Sequence, residues 1–140
     1  MKSDYEIFSY SVLIMEKHLD SFGHVNNAAY LELFEEARWD FITKHGFGLE
    51  RIKKEKKGPV VLEANLKFKK ELLNREVITI LSTSRNIIRD KIMTLEQQMI
   101  KADGSIASEL LLTVGFFDLS SRHLIPPEEG WLKAVGFKVI

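Results

Sequence analysis

His18-Leu19-Asp20-Ser21-Phe22-Gly23-His24-Val25-Asn26-Asn27-Ala28-Ala29-Tyr30 is the stretch on which the fold of this 140-residue chain turns. It sets a carboxylate after one regular element, a glycine where the backbone must bend sharply, and two asparagines where the next element begins. Asp20-Ser21-Phe22-Gly23 has the composition of a turn. Downstream, Tyr30, Phe34, Ala37 and Phe41 recur at helical spacing with Leu33 on the same face, and Glu32, Glu36, Asp40 and Lys44 form a polar stripe. Asn26 or Asn27 caps this helix by accepting an orphan N–H, and Gly46 ends it in the left-handed conformation. The predicted helix is roughly 18 residues long, against about 11 to 12 in an average globular protein.

Upstream, Tyr5 to Glu16 alternates: Phe8, Tyr10, Val12 and Ile14 share one face, and Ile7, Ser9, Ser11, Leu13 and Met15 the other. That period of two predicts a strand with a buried face. Beyond the helix, Lys53 to Gly58 reads as a charged, exposed loop closed by Pro59. Four strand-like segments follow, roughly Val60 to Lys69, Glu76 to Arg85, Lys91 to Lys101 and Ile106 to Leu119, with a hairpin turn at Asp103-Gly104. Pro126 and Pro127 stop regular structure, and Trp131 is expected to pack back on the body. One long helix with a broad apolar face needs a cover, and the strands are the only material for it. The expected fold is α+β, a single domain over residues 1–140 in which a five-stranded antiparallel sheet curls around one helix. The sheet's open edges make a homodimer with a continuous sheet the default expectation.

The start of a helix offers unpaired N–H groups and the positive end of its dipole, which together stabilise an oxyanion. A carboxylate at Asp20 lies close by in sequence, suited to attack a carbonyl or to activate water. Most aspartates before a helix are simple caps, so these parts alone do not single out catalysis. The segment Asp20-Ser21-Phe22-Gly23-His24-Val25-Asn26-Asn27-Ala28-Ala29-Tyr30-Leu31, with Phe34-Glu35-Glu36-Ala37-Arg38 after it, resembles the signature of the hydroxybenzoyl-CoA thioesterase family of hotdog-fold proteins. The order of strand, helix and four strands ending in Pro-Pro is similar to that family as well.

The resemblance implies an acyl-CoA thioesterase acting on a fatty or aromatic acyl group, with coenzyme A as part of the substrate and no separate cofactor. It implies Asp20 as nucleophile or general base and the backbone N–H of Asn27 as the group that polarises the thioester carbonyl. It sets Gly23, His24, Val25, Asn26 and Tyr30 around the substrate, and implies dimers or tetramers with active sites at the subunit interface. His24 has a plainer role within the turn, Tyr30 one in the core, and Glu35 one in an i, i+3 pair with Arg38. Two alternatives stay open: a thioesterase for acyl-carrier-protein esters, and a non-catalytic hotdog protein that binds an acyl ligand.

Other classes are disfavoured on composition. Lys plus Arg and Asp plus Glu number 20 each, so the formal net charge is zero and no general nucleic-acid binder is expected. There are no cysteines, which removes disulfides, thiolate metal sites and a cysteine nucleophile. His18, His24, His45 and His123 show no i, i+4 pairing, so no metal site is expected. No Gly-x-Ser-x-Gly elbow occurs either. Met1 to Lys17 lacks the pattern of a signal peptide, and Leu110 to Phe117 is too short to span a bilayer, so a cytoplasmic protein without membrane insertion is expected. Arg85, Arg89 and Lys91, or Lys53, Lys54, Lys56 and Lys57, are candidates to hold coenzyme A phosphates, with a solvated surface the plainer account of both groups.

Overall fold

The computed structural model describes residues 5–138. The elements run β1 (Ile7–Leu13), α1 (Asn27–Lys44), α2 (Leu49–Glu55), β2 (Lys57–Phe68), β3 (Val77–Ile88), β4 (Ile92–Ile100), β5 (Ile106–Asp118), β6 (His123–Ile125) and α3 (Glu129–Ala134). All the strand pairings are antiparallel, in the order β1-β3-β4-β5-β2, with β6 paired to β5. The curled sheet wraps α1, which is the hotdog arrangement.

Cross-strand partners share a face, so the registers give the inner surface directly. One row runs Phe8–Ser82–Gln97–Leu110–Leu66 across five strands. Ile78, Ile80, Met93, Leu95, Met99, Leu112, Val114 and Phe116 complete that face, and all are buried. Against them lie Ala29, Tyr30, Leu33, Phe34, Ala37, Phe41 and Ile42 of α1, the stripe expected from the sequence. Gln97 is the largest of the buried polar side chains on this face, which also holds Ser82, Ser84 and Ser108. Its Nε2 donates to Phe34 O at 3.0 Å and to Ser82 Oγ at 2.9 Å, while its Oε1 accepts from Arg38 Nη1 at 2.9 Å. A buried polar group fully used in this way fixes how the helix sits on the sheet.

Helix α1 has the expected ends. Asn26 is its N-cap, with Oδ1 accepting from Ala28 N at 2.8 Å, and Gly46 follows it at φ 87°. The Asp103-Gly104 hairpin is also as expected, since Asp103 Oδ1 accepts from Ser105 N at 2.8 Å and Gly104 has φ 87°.

Three expectations are corrected. Lys53 to Gly58 is not a loop: Lys53 and Lys54 belong to α2, and β2 begins at Lys57. The charges misled because α2 is held by Ile52, whose Cγ2 lies 2.9 Å from where a Cβ on Gly58 would stand. The first strand stops at Leu13, and Glu16–His18 forms a 3-10 turn in which His18 Nδ1 accepts from Met15 N at 2.9 Å. A sixth strand, β6, precedes the two prolines and covers the end of β5, where Leu124 packs on Gly115. Trp131 does fold back; it is buried against Phe116 and Phe47.

Candidate active site

Between β1 and α1 the chain makes a small closed loop. Leu19 and Val25 form an isolated antiparallel bridge, and Asp20 N donates to His24 O at 2.7 Å. Gly23 N donates to Asp20 O at 3.2 Å, and Gly23 has φ 81°, a conformation that favours glycine. The carboxylate of Asp20 stitches the same loop: Oδ1 accepts from Phe22 N at 2.8 Å and from His24 N at 3.2 Å. This is an Asx turn, in which the side chain stands in for backbone. Its Oδ2 has no hydrogen-bond partner among the described residues, and Asp20 is exposed.

The loop feeds straight into the helix. Asn26 N donates to His18 O at 2.9 Å, so the cap is tied to the 3-10 turn before the loop. Of the first helical N–H groups, that of Ala28 is taken by the Asn26 side chain and that of Ala29 by Asn26 O at 2.9 Å. The N–H of Asn27 has no partner among the described residues. The first turn of α1 holds no acidic side chain, so no carboxylate competes for the positive end of the dipole. An exposed carboxylate oxygen and an unused helix-start N–H thus belong to one rigid loop-and-cap unit.

The other residues singled out in the sequence divide around this unit. Val25 is buried and anchors the loop to the core. His24 is exposed, and its Nδ1 lies 2.7 Å from Glu71 Oε1 in the β2–β3 connection. Tyr30 is buried and packs edge-on against Phe68 with ring centroids 4.9 Å apart. Its hydroxyl pKa is raised first by burial and then by Glu71 and Glu76. Glu35 forms the expected i, i+3 ion pair with Arg38 at 4.0 Å, and Arg38 Nη1 also donates to Gln97 Oε1 at 2.9 Å. Sequence reasoning missed Glu71 and Gln97, because both come from segments far along the chain with no local pattern to mark them. Of the basic candidates, Arg85 pairs with Glu96 at 2.8 Å and Lys57 with Glu128 at 2.8 Å. Among the described residues no group of acids and histidines is arranged to hold a metal, and no helix is long and apolar enough to cross a membrane.

Beyond the loop, α1 and β2 each leave a strip of side chains exposed. On one side lies the α1 stripe Asn27, Leu31 and Glu35, spaced four residues apart and exposed. On the other lie Phe68, Leu66, Ala64 and Val61, the inner-face side chains of β2, which α1 leaves largely uncovered. A cavity of about 150 Å³ is walled by Glu35 of the first strip and Val61 of the second, with Arg38, Trp39, Pro59, Leu95 and Trp131 among its other lining residues. Neither Asp20 nor Asn27 lines this cavity.

Residues 15–135 match the family described as the thioesterase-like superfamily. The chain is 28% identical over 125 residues to the long-chain acyl-CoA thioesterase FadM of Escherichia coli (strain K12), covering 79% of this chain and 83% of that protein. Among solved structures it is similar to YbaW, a probable thioesterase from Escherichia coli, at 26% identity and TM-score 0.79, over 91% of this chain and 95% of that one. A hypothetical protein from Staphylococcus aureus, solved in complex with CoA, shares the fold at TM-score 0.85 and 19% identity, over 94% of this chain and 82% of that one.

Proposed function

For a chain that belongs to the thioesterase-like superfamily, we propose hydrolysis of an acyl-CoA to the free acid and coenzyme A, with Asp20 and the Asn27 N–H as the working pair. The observation that carries this reading is the unpartnered N–H of Asn27 at the head of α1, beside a loop whose aspartate keeps one oxygen unused. The thioester oxygen accepts from Asn27 N–H, and the helix dipole favours the charge that builds on it. Asp20 then acts in one of two ways. As general base it takes a proton from water while that water's oxygen bonds to the carbonyl carbon; the C–S bond breaks and the thiolate leaves. As nucleophile its oxygen bonds to the carbon first, the C–S bond breaks and the thiolate leaves, and water then hydrolyses the resulting anhydride. Single turnover in heavy-oxygen water separates the two, because the nucleophilic route first delivers protein oxygen to the acid. Gly23, His24, Val25 and Asn26 shape the loop that holds this pair, and Tyr30 closes the floor beneath it.

The relationship to a named acyl-CoA thioesterase and the mostly apolar cavity both favour a CoA ester with a sizeable acyl group. The test is release of free thiol from a panel running from acetyl-CoA through palmitoyl-CoA to benzoyl-CoA. Turnover that rises with chain length supports the reading. No turnover of any CoA ester, with turnover of the matching carrier-protein esters, replaces CoA by the carrier protein.

We further propose a homodimer through β2. This strand is 12 residues long, is paired on one side only, and exposes Val61, Leu62 and Phe68. A long apolar edge of that kind is a pairing surface. Leu62→Asp is expected to halve the mass in sedimentation equilibrium; an unchanged mass, or a wild type that is already monomeric, refutes the edge pairing.

A further inference from the structure

The loop that carries Asp20 is stitched to itself and barely tied to the rest of the molecule. Among the described residues, every hydrogen bond made by residues 20–24 stays inside that loop: Asp20 N to His24 O, Gly23 N to Asp20 O, and Phe22 N and His24 N to Asp20 Oδ1. Its tip stands in solvent, with Phe22 85% exposed. Internal bonds of this kind fix the shape of the loop. They leave its tilt against α1 free, because the loop turns about the Leu19–Val25 bridge. Among the described residues, the one polar contact that reaches outward from residues 20–24 is that of His24 Nδ1 with Glu71 Oε1, at 2.7 Å.

Glu71 is firmly mounted for such a task. Lys69 N and Lys70 N both donate to Ala107 O, at 2.8 and 3.0 Å, which ties the start of the β2–β3 connection to β5. Glu71 O accepts from Lys101 Nζ at 2.5 Å, and Lys101 also pairs with Glu76 at 3.2 Å. Leu72, next in the chain, is fully buried. The backbone is therefore held on both sides of Glu71, while its carboxylate has no hydrogen-bond or ion-pair partner but His24 among the described residues. We propose that Glu71 is a positioning residue: through His24 it sets the tilt of the loop, and so aims the free oxygen of Asp20 at a carbonyl held by the Asn27 N–H. This role rests on the thioesterase reading and gives that reaction a residue from a distant part of the chain.

The test is a double-mutant cycle on turnover of the best acyl-CoA. A pair as exposed as this one holds a loop by no more than about fivefold. Glu71→Ala is therefore expected to lower kcat about two- to fivefold with KM within about twofold, because the aim of the base is felt in the chemical step alone. His24→Ala should cost about the same, and the double variant no more than either single one, since each residue acts through the other. Glu71→Gln keeps an oxygen at the same reach and should recover part of the loss; where the alanine variant does not fold, it closes the cycle instead. A kcat left unchanged, a loss confined to KM, or single losses that multiply in the double variant overturns the proposal. If wild type hydrolyses no CoA ester, the thioesterase reading fails by itself, and NMR relaxation of the backbone nitrogens decides the tether separately. Order parameters from Ser21 to His24 are expected near the rigid value of about 0.85 in wild type and below about 0.6 in Glu71→Ala, with Asn27 unchanged. Equal values in the two proteins overturn the tether.

Discussion

Replacing Gln97 by leucine removes a buried polar pin between helix and sheet while keeping the side chain's approximate volume. Gln97 is fully buried and makes three hydrogen bonds, to Phe34 O, Ser82 Oγ and Arg38 Nη1. The two neutral bonds contribute about 1 kcal/mol each, and the bond to the charged guanidinium about 1.5–3 kcal/mol. Arg38 retains some exposure and recovers part of its loss from water, so the lower bound applies to it. Added apolar contact from leucine offsets some of the remainder. The expected cost of Gln97→Leu is therefore about 3 kcal/mol. Urea denaturation at one fixed protein concentration reads this as a midpoint lower by roughly 1 to 3 M, given slopes of about 1–3 kcal/mol per M. Adding Arg38→Met to Gln97→Leu removes the charge left without its acceptor, so the double variant should be more stable than the sum of the two single losses. A single-variant loss below about 1 kcal/mol, or losses that add within about 0.5 kcal/mol, would refute the idea that these groups act as one network.

Asn26→Ala removes the cap of α1 and frees the N–H of Ala28; a loss of about 1 kcal/mol is expected, with a lower kcat because the neighbouring Asn27 amide loses its fixed position. Calorimetry should place the thermal midpoint roughly 3 to 5 °C lower, and an unchanged midpoint would sink the capping assignment. Gly115→Ala puts a methyl 2.5 Å from Leu124 Cδ2, so it should destabilise by about 1–3 kcal/mol through overpacking, and Leu124→Ala should relieve it; no relief would mean that β6 is not what the methyl meets. Glu16 has its pKa lowered from the ordinary 4.5, first by the hydrogen bond from Arg75. A carboxylate whose folded pKa is depressed stabilises above the unfolded value and loses that contribution as pH falls through the folded one. Glu16→Gln should accordingly be less stable than wild type near neutrality, with the gap closing below pH 4.5; a gap that persists in acid contradicts the ion pair.

The helix was legible almost to the residue, since capping chemistry at Asn26 and a glycine at positive φ are local events that a sequence carries in full. The main strands were legible too, because alternation at Phe8, Tyr10, Val12 and Ile14 records a buried face directly. Charge misled at Lys53 and Lys54: these lysines coat the solvent side of a short helix that packs on the sheet through Ile52 against Gly58. The short strand before Pro126 was hidden because three residues, His123, Leu124 and Ile125, are too few to show a period. At the candidate site, the Asx turn of Asp20 and the start of α1 were visible from one continuous stretch. Glu71 beside His24, and Gln97 beneath Arg38, were not, because contacts between segments so far apart in the chain exist only once the sheet has curled.

In the proposed reaction, Asp20 and the Asn27 amide act together on a thioester. Hydrolysis of the best long-chain acyl-CoA by wild type and Asp20→Asn tests it most directly, with circular dichroism and sedimentation run on both. Asparagine keeps an oxygen able to accept from Phe22 N and His24 N, so the loop should persist. A fall in kcat of about 100-fold or more is expected with the fold and the oligomer unchanged, the loss that follows when a positioned base is removed. An Asp20→Asn variant that turns over as fast as wild type would contradict it.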